Sequence, residues 1–130
     1  MDVYTVGDLS KFKKEDLEGS FKLIQELQEL AQMSQNYGIL SLQEMAHTLS
    51  YTPFSLMKGL SLMLEGIGPN QIQEILENYA VINGYTMIEL LESIIIINGL
   101  LCIQSGESQI YIQELLLSFI PLHLQQYASK

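Results

Sequence analysis

The sequence predicts an all-α fold: a compact bundle of about six helices around one central apolar helix, at about residues 86–104. Three observations predict it. The stretch from Ile94 to Ile103 carries apolar side chains on every side of a helix and stops at Gly106. Start signals recur along the chain at Ser41-x-x-Glu44, Thr52-Pro53 and Thr86-x-x-Glu89. Between them, apolar residues return at three- and four-residue spacing.

A helix that is apolar all round must be covered on all sides, by protein or by lipid. Lipid is the poorer expectation, because the run holds about ten apolar residues against the roughly 20 that span a bilayer, and Glu89 and Glu92 lie one turn upstream. Four consecutive isoleucines also suit a buried strand. The Asn98-Gly99 pair and the Thr86 start signal favour helix.

In chain order, residues 1–13 form an N-terminal arm, residues 14–121 a single helical domain, and residues 122–130 a C-terminal tail. The first helix runs from about Lys14 to Tyr37, with Leu17, Phe21, Ile24, Leu27 and Ala31 on one stripe. Glu15, Asp16 and Glu18 fall at its start, where the helix dipole favours negative charge, and Gly38 closes it. A short second helix opens on the Ser41 capping box and ends near Leu49. The third starts with Thr52 as cap and Pro53 at the first position, turns Phe54, Met57, Leu60 and Leu64 inward, and ends at Gly66. The fourth follows Gly68-Pro69-Asn70, carries Ile72, Ile75, Leu76, Tyr79 and Ile82, and stops at Asn83-Gly84. The fifth is the central helix. The sixth starts near Ser108, carries Ile112, Leu115, Leu116 and Phe119, and closes at Pro121.

Composition narrows the function. The chain has 130 residues, 48% of them hydrophobic, with 15 acidic and 6 basic side chains and a net charge of −9. Such a balance argues against nucleic acid and against an anionic membrane surface, and it steers a basic protein partner inward. One cysteine, Cys102, makes no internal disulfide and reads as a buried thiol, which fits a reducing compartment. No signal peptide is visible, so the expectation is a soluble, cytoplasmic protein. His47 and His123 lack neighbours at metal-ligand spacing, and no glycine-rich phosphate loop or catalytic constellation is present, so no cofactor, metal or enzymatic activity is expected. The methionines Met33, Met45, Met57, Met63 and Met87 read as core fillers.

Three segments resemble the cytoplasmic parts of the flagellar motor stator A subunit, the MotA family. Leu30-Ala31 through Gly38-Ile39-Leu40-Ser41-Leu42 is similar to a signature of its cytoplasmic loop. Gly59-Leu60, Leu62, Gly66, Pro69, Ile72 and Leu76-Glu77 follow at similar spacing. Ile96-Ile97-Asn98-Gly99, Ile103-Gln104-Ser105-Gly106-Glu107 and Leu116-Leu117-Ser118-Phe119-Ile120-Pro121 look like the segment after the family's last membrane helix. Together they cover roughly residues 27–121, without the family's transmembrane helices.

The resemblance implies a non-catalytic interaction protein that binds or modulates a rotor or stator component of the motor. It places partner contacts at Gln35, Asn36, Tyr37, Gln43 and His47. Gln35, Gln43 and Ile110 stand where the family carries arginine, glutamate and arginine; a glutamine can keep a hydrogen bond but not a full ionic pair, and Ile110 keeps neither, so charge steering to the rotor is weak. The alternative is an acidic helical adaptor for a basic peptide or helix, unrelated to motility. Self-association is a further expectation from the aliphatic content.

Overall fold

The structure, a computed structural model, describes residues 11–45 and 52–128. It is all-α, with no strand among the described residues. A single 3-10 turn, Lys14–Leu17, leads into α1, Glu18–Tyr37. A second 3-10 turn, Ile39–Ser41, leads into the described part of α2, Leu42–Met45. Then come α3 (Phe54–Leu64), α4 (Pro69–Ile82), α5 (Met87–Ser105) and α6 (Gln109–Leu117), and a last 3-10 segment, Leu122–Tyr127.

α5 is the centre. It packs on α1, α3, α4 and α6, and its contact with α1 is the most extensive. Every residue from Leu91 to Ile97 is buried, followed by Gly99, Leu100, Cys102 and Ile103. Its length and composition alone would let it cross a bilayer, which exceeds the ten-residue run read from the sequence: it has 19 residues and a mean hydropathy of 1.7, with 61% of its most apolar window buried against the other helices. Both ends are fixed as the sequence predicts. Thr86 Oγ1 accepts from the Glu89 N–H at 3.3 Å, while Glu89 Oε1 accepts from the Thr86 N–H at 2.8 Å. Gly106 takes the left-handed conformation, and the Glu107 N–H reaches back to the Cys102 carbonyl at 3.1 Å.

Close approach sets which faces meet. A Cβ built on Gly99 would lie 2.7–3.1 Å from Cδ1, Cδ2 and Cγ of Leu27, so the α1–α5 contact closes over a bare backbone. On α3 the buried face is Ser55, Leu56, Gly59, Leu60 and Met63. Of the expected inward residues Leu60 is buried, but the face is rotated from the rest: Phe54 is 52% exposed, Met57 is also exposed, and Leu64 is half-buried. Gly59, pressed on Leu100 and Leu76, fixes that rotation. On α4, Ile72, Leu76 and Ala80 face the core, and Ile82 faces out rather than in.

Two start signals differ from expectation. Pro53, not Thr52, is the cap residue of α3. Ser41 does not cap α2: it lies inside the 3-10 turn, and its hydroxyl donates to the Gly38 carbonyl at 2.6 Å. The turn follows the end of α1 so closely that this carbonyl is the nearer partner. The expected end of α2 near Leu49 lies outside the described residues.

The first and last described segments pack together. Leu124 and Ala128 belong to the same core as Leu17 and Leu23. The Tyr127 ring stacks on Phe21 at 6.5 Å, and Lys14 Nζ lies 4.9 Å from the Tyr127 ring centre.

Cys102 is 4% exposed. Burial, aided by the negative charge of Glu107, pushes its thiol from 9.0 up to about 11. The folded state therefore favours the protonated thiol, and that preference works against stability as pH rises from about 9 toward about 11. At about pH 8, Ellman's reagent will label Cys102 only at the rate of unfolding. Rapid labelling of folded protein would contradict this burial.

Candidate functional site

The end of α1 carries three of the expected contact residues. Gln35, Asn36 and Tyr37 are all exposed, Tyr37 at 73%. Gln35 is already engaged within the protein. Its Nε2 donates to the Glu107 carbonyl, and its Oε1 accepts from Gln109 Nε2 at 3.4 Å. The side chain thus ties α1 to the turn between α5 and α6. Asn36 Oδ1 accepts from Gln32 Nε2 at 3.4 Å, one helical turn back. Gln43, exposed on α2, lines a cavity of about 440 Å³ with Met33, Leu40, Ser41, Glu44 and Met45. His47 lies outside the described residues. Tyr37 and Leu40 leave apolar surface exposed here.

A second surface lies where α3, α4 and α5 come together. α4 ends in a two-bond cap: the Tyr85 N–H reaches the Ala80 carbonyl at 3.1 Å and the Gly84 N–H reaches the Val81 carbonyl at 3.2 Å. Gly84, at φ 59°, supplies the left-handed backbone that this cap needs. The cap turns Tyr85 back against the helix it terminates. Behind it lies a cavity of about 270 Å³, walled by Ala80, Val81, Leu90, Ile94 and Ile97, with Glu77, Gly84, Tyr85 and Ser93 completing the lining.

A second cavity of about 220 Å³ shares Tyr85 and Ser93 with the first and adds Pro53, Phe54, Ser55, Glu89, Glu92 and Ile96. The Tyr85 hydroxyl lies 3.5 Å from Ser55 Oγ. Ser93 is 2% exposed, and its Oγ has no hydrogen-bond partner. A buried hydroxyl without a partner costs about 1–3 kcal/mol, so its place on the wall of two cavities is informative.

Around these cavities the surface is apolar and acidic. Val81 is 68% and Ile82 82% exposed, with Phe54 and Met87 also open. Phe54 packs edge-on against Tyr79 at 4.9 Å. Glu77, Glu89 and Glu92 line the cavities. From Gly59 to Ser129 the chain has seven glutamates and no Lys or Arg, and Lys58, on α3, stands just before that stretch.

Among the described residues, no group of three or more His, Cys, Asp or Glu is arranged to hold a metal ion.

Sequence reasoning missed this second surface. Val81 and Ile82 together made α4 too apolar for a single stripe, which was the available signal. Ser93 carried none, since an isolated serine in an apolar helix has no signature.

Comparison with protein-family models, with curated proteins and with solved structures finds no match. The class that the fold defines is an all-α bundle built around a covered apolar helix. No family assignment adds to it, and the likeness to the stator subunit rests on its sequence segments alone.

Proposed function

We propose that this protein is a non-catalytic adaptor. Its acidic helical domain binds a basic, amphipathic segment of a protein partner on the surface formed by α3, α4 and α5. One observation carries the reading: Val81 and Ile82 stand open in a half of the chain that holds seven glutamates and no Lys or Arg. Apolar residues left in water on a small domain mark an interaction surface when they cluster. The net negative charge selects the partner and steers its approach, with Lys58 on α3 the one cation in these three helices. The single buried thiol and the covered α5 support action in a reducing, aqueous compartment.

The test is titration of a labelled amphipathic peptide built from lysine and leucine. A glutamate-for-lysine version is the control. The lysine peptide is expected to bind, and its affinity to fall about tenfold or more between low and high salt, as charge-steered contacts are screened. Equal binding of both peptides, or of neither, would overturn the adaptor reading.

A second reading follows the stator resemblance. A rotor or stator component would contact Asn36, Tyr37, Gln43 and His47, and the exposure of Tyr37 and Leu40 favours it. The prior engagement of Gln35 weighs against it. Capture of a motor protein that is lost on Tyr37→Ala and kept on Ile82→Lys would select this reading over the first.

A further inference from the structure

We propose that the partner's anchoring residue is a tryptophan or tyrosine that enters the cavity behind Tyr85, hydrogen-bonds Ser93, and stands beside a Lys or Arg that meets Glu89. This rests on the adaptor reading and names the chemistry of its contact.

Size comes first. Ligand pockets for drug-sized molecules hold roughly 300–1,000 Å³. The chamber walled by Ala80, Val81, Leu90, Ile94 and Ile97 holds about 270 Å³, which suits one bulky side chain rather than a cofactor.

The wall then selects among bulky side chains. A leucine or phenylalanine would fill the apolar volume and leave the Ser93 Oγ as unpaired as it is now. An indole N–H or a phenol O–H would supply the missing partner, since a serine hydroxyl both donates and accepts. Tryptophan and tyrosine are the side chains that join a large apolar body to a polar tip, and they dominate interface anchors for that reason.

Charge sets what stands next to the ring. The second chamber shares Tyr85 and Ser93 with the first, and Glu89 lines it beside the buried and already engaged Glu92. Glu89 spends one oxygen on the Thr86 N–H and keeps the other for a donor. The occupant of the paired chambers is thus an aromatic ring with a hydrogen-bonding tip and an adjacent cation.

Tryptamine carries that chemistry in one small molecule. Indole-3-propionate has the same ring with the opposite charge, and isoamylamine has the charge without an aromatic tip. Each is titrated into the whole protein while backbone amide shifts are recorded. Tryptamine is expected to give saturable shifts at Ala80, Tyr85 and Ser93, with indole-3-propionate about tenfold weaker or worse.

Ser93→Ala removes only a buried, unpaired hydroxyl and so leaves the fold intact. It is expected to weaken tryptamine about fivefold, the worth of one hydrogen bond, and to leave isoamylamine unchanged. Shifts elsewhere, or equal weakening of both amines by Ser93→Ala, would overturn the inference. If the lysine–leucine peptide binds while tryptamine gives no shifts, the anchor chemistry falls and the adaptor reading stands. If neither binds, both fall.

Discussion

Gly99→Val will lower the stability of the wild-type fold by about 3 kcal/mol, yet by only about 1 kcal/mol when Leu27 is already alanine. The reason lies at the α1–α5 contact, where Leu27 closes over Gly99 with three carbons at 2.7–3.1 Å from any added Cβ. Valine brings three carbons into space that is filled. Leu27 is 0% exposed and has no free direction in which to swing. Overpacking of this kind costs about 1–3 kcal/mol and occasionally more.

Leu27→Ala alone removes three carbons from the same place and costs about 2–5 kcal/mol, from lost burial and the cavity left behind. Combined, the two changes nearly conserve volume, which cores tolerate best. Urea unfolding of the four proteins, followed by circular dichroism at 222 nm, closes the cycle. If Gly99→Val costs the same in both backgrounds, the two residues do not meet as described.

Val81→Lys with Ile82→Lys will weaken peptide binding by at least about tenfold while leaving the unfolding midpoint nearly unchanged. Both side chains are exposed, so their replacement removes little burial, and surface changes of this sort stay within about 0.5 kcal/mol. Lysine at the C-terminal end of α4 also suits the helix dipole, which offsets its lower apolar contact. The partner meets a different surface. It loses two apolar contacts, each worth about 1.5–3 kcal/mol if fully buried, and meets two positive charges where it was drawn by negative ones. Affinity falls by at least about tenfold, the lower end of what two lost anchors cause. Peptide affinity that survives the double substitution would remove α4 from the interface.

The sequence made some of this visible and hid the rest for physical reasons. α5 was legible at both ends, because a Thr-x-x-Glu start and a glycine stop are chemical requirements of helix termini. The same logic failed at Ser41-x-x-Glu44. That motif needs a residue free to turn toward a helix start, and Ser41 was held by a turn that begins at Gly38. α3 was harder. Phe54, Leu56, Met57, Leu60, Leu62, Met63 and Leu64 offer more than one apolar stripe, and periodicity cannot choose between them. Gly59 chose, through its contact with Leu100 and Leu76.

The expected contact residues Gln35, Asn36, Tyr37 and Gln43 do reach the surface, but nothing local revealed that Gln35 would be taken up by Glu107 and Gln109. Those partners lie 72 and 74 residues away. The paired cavities are likewise gaps between helices distant in the chain. No window along one helix contains them.

The covering of α5 on all sides has a cost for the chain outside its native state. No one helix shelters α5 alone, because α1, α3, α4 and α6 each pack on it. Nascent or partly unfolded molecules thus present a 19-residue segment that is, by length and composition only, long and apolar enough to enter hydrocarbon. During synthesis α5 emerges from the ribosome ahead of α6, so a holdase or a nearby bilayer competes for it until α6 packs.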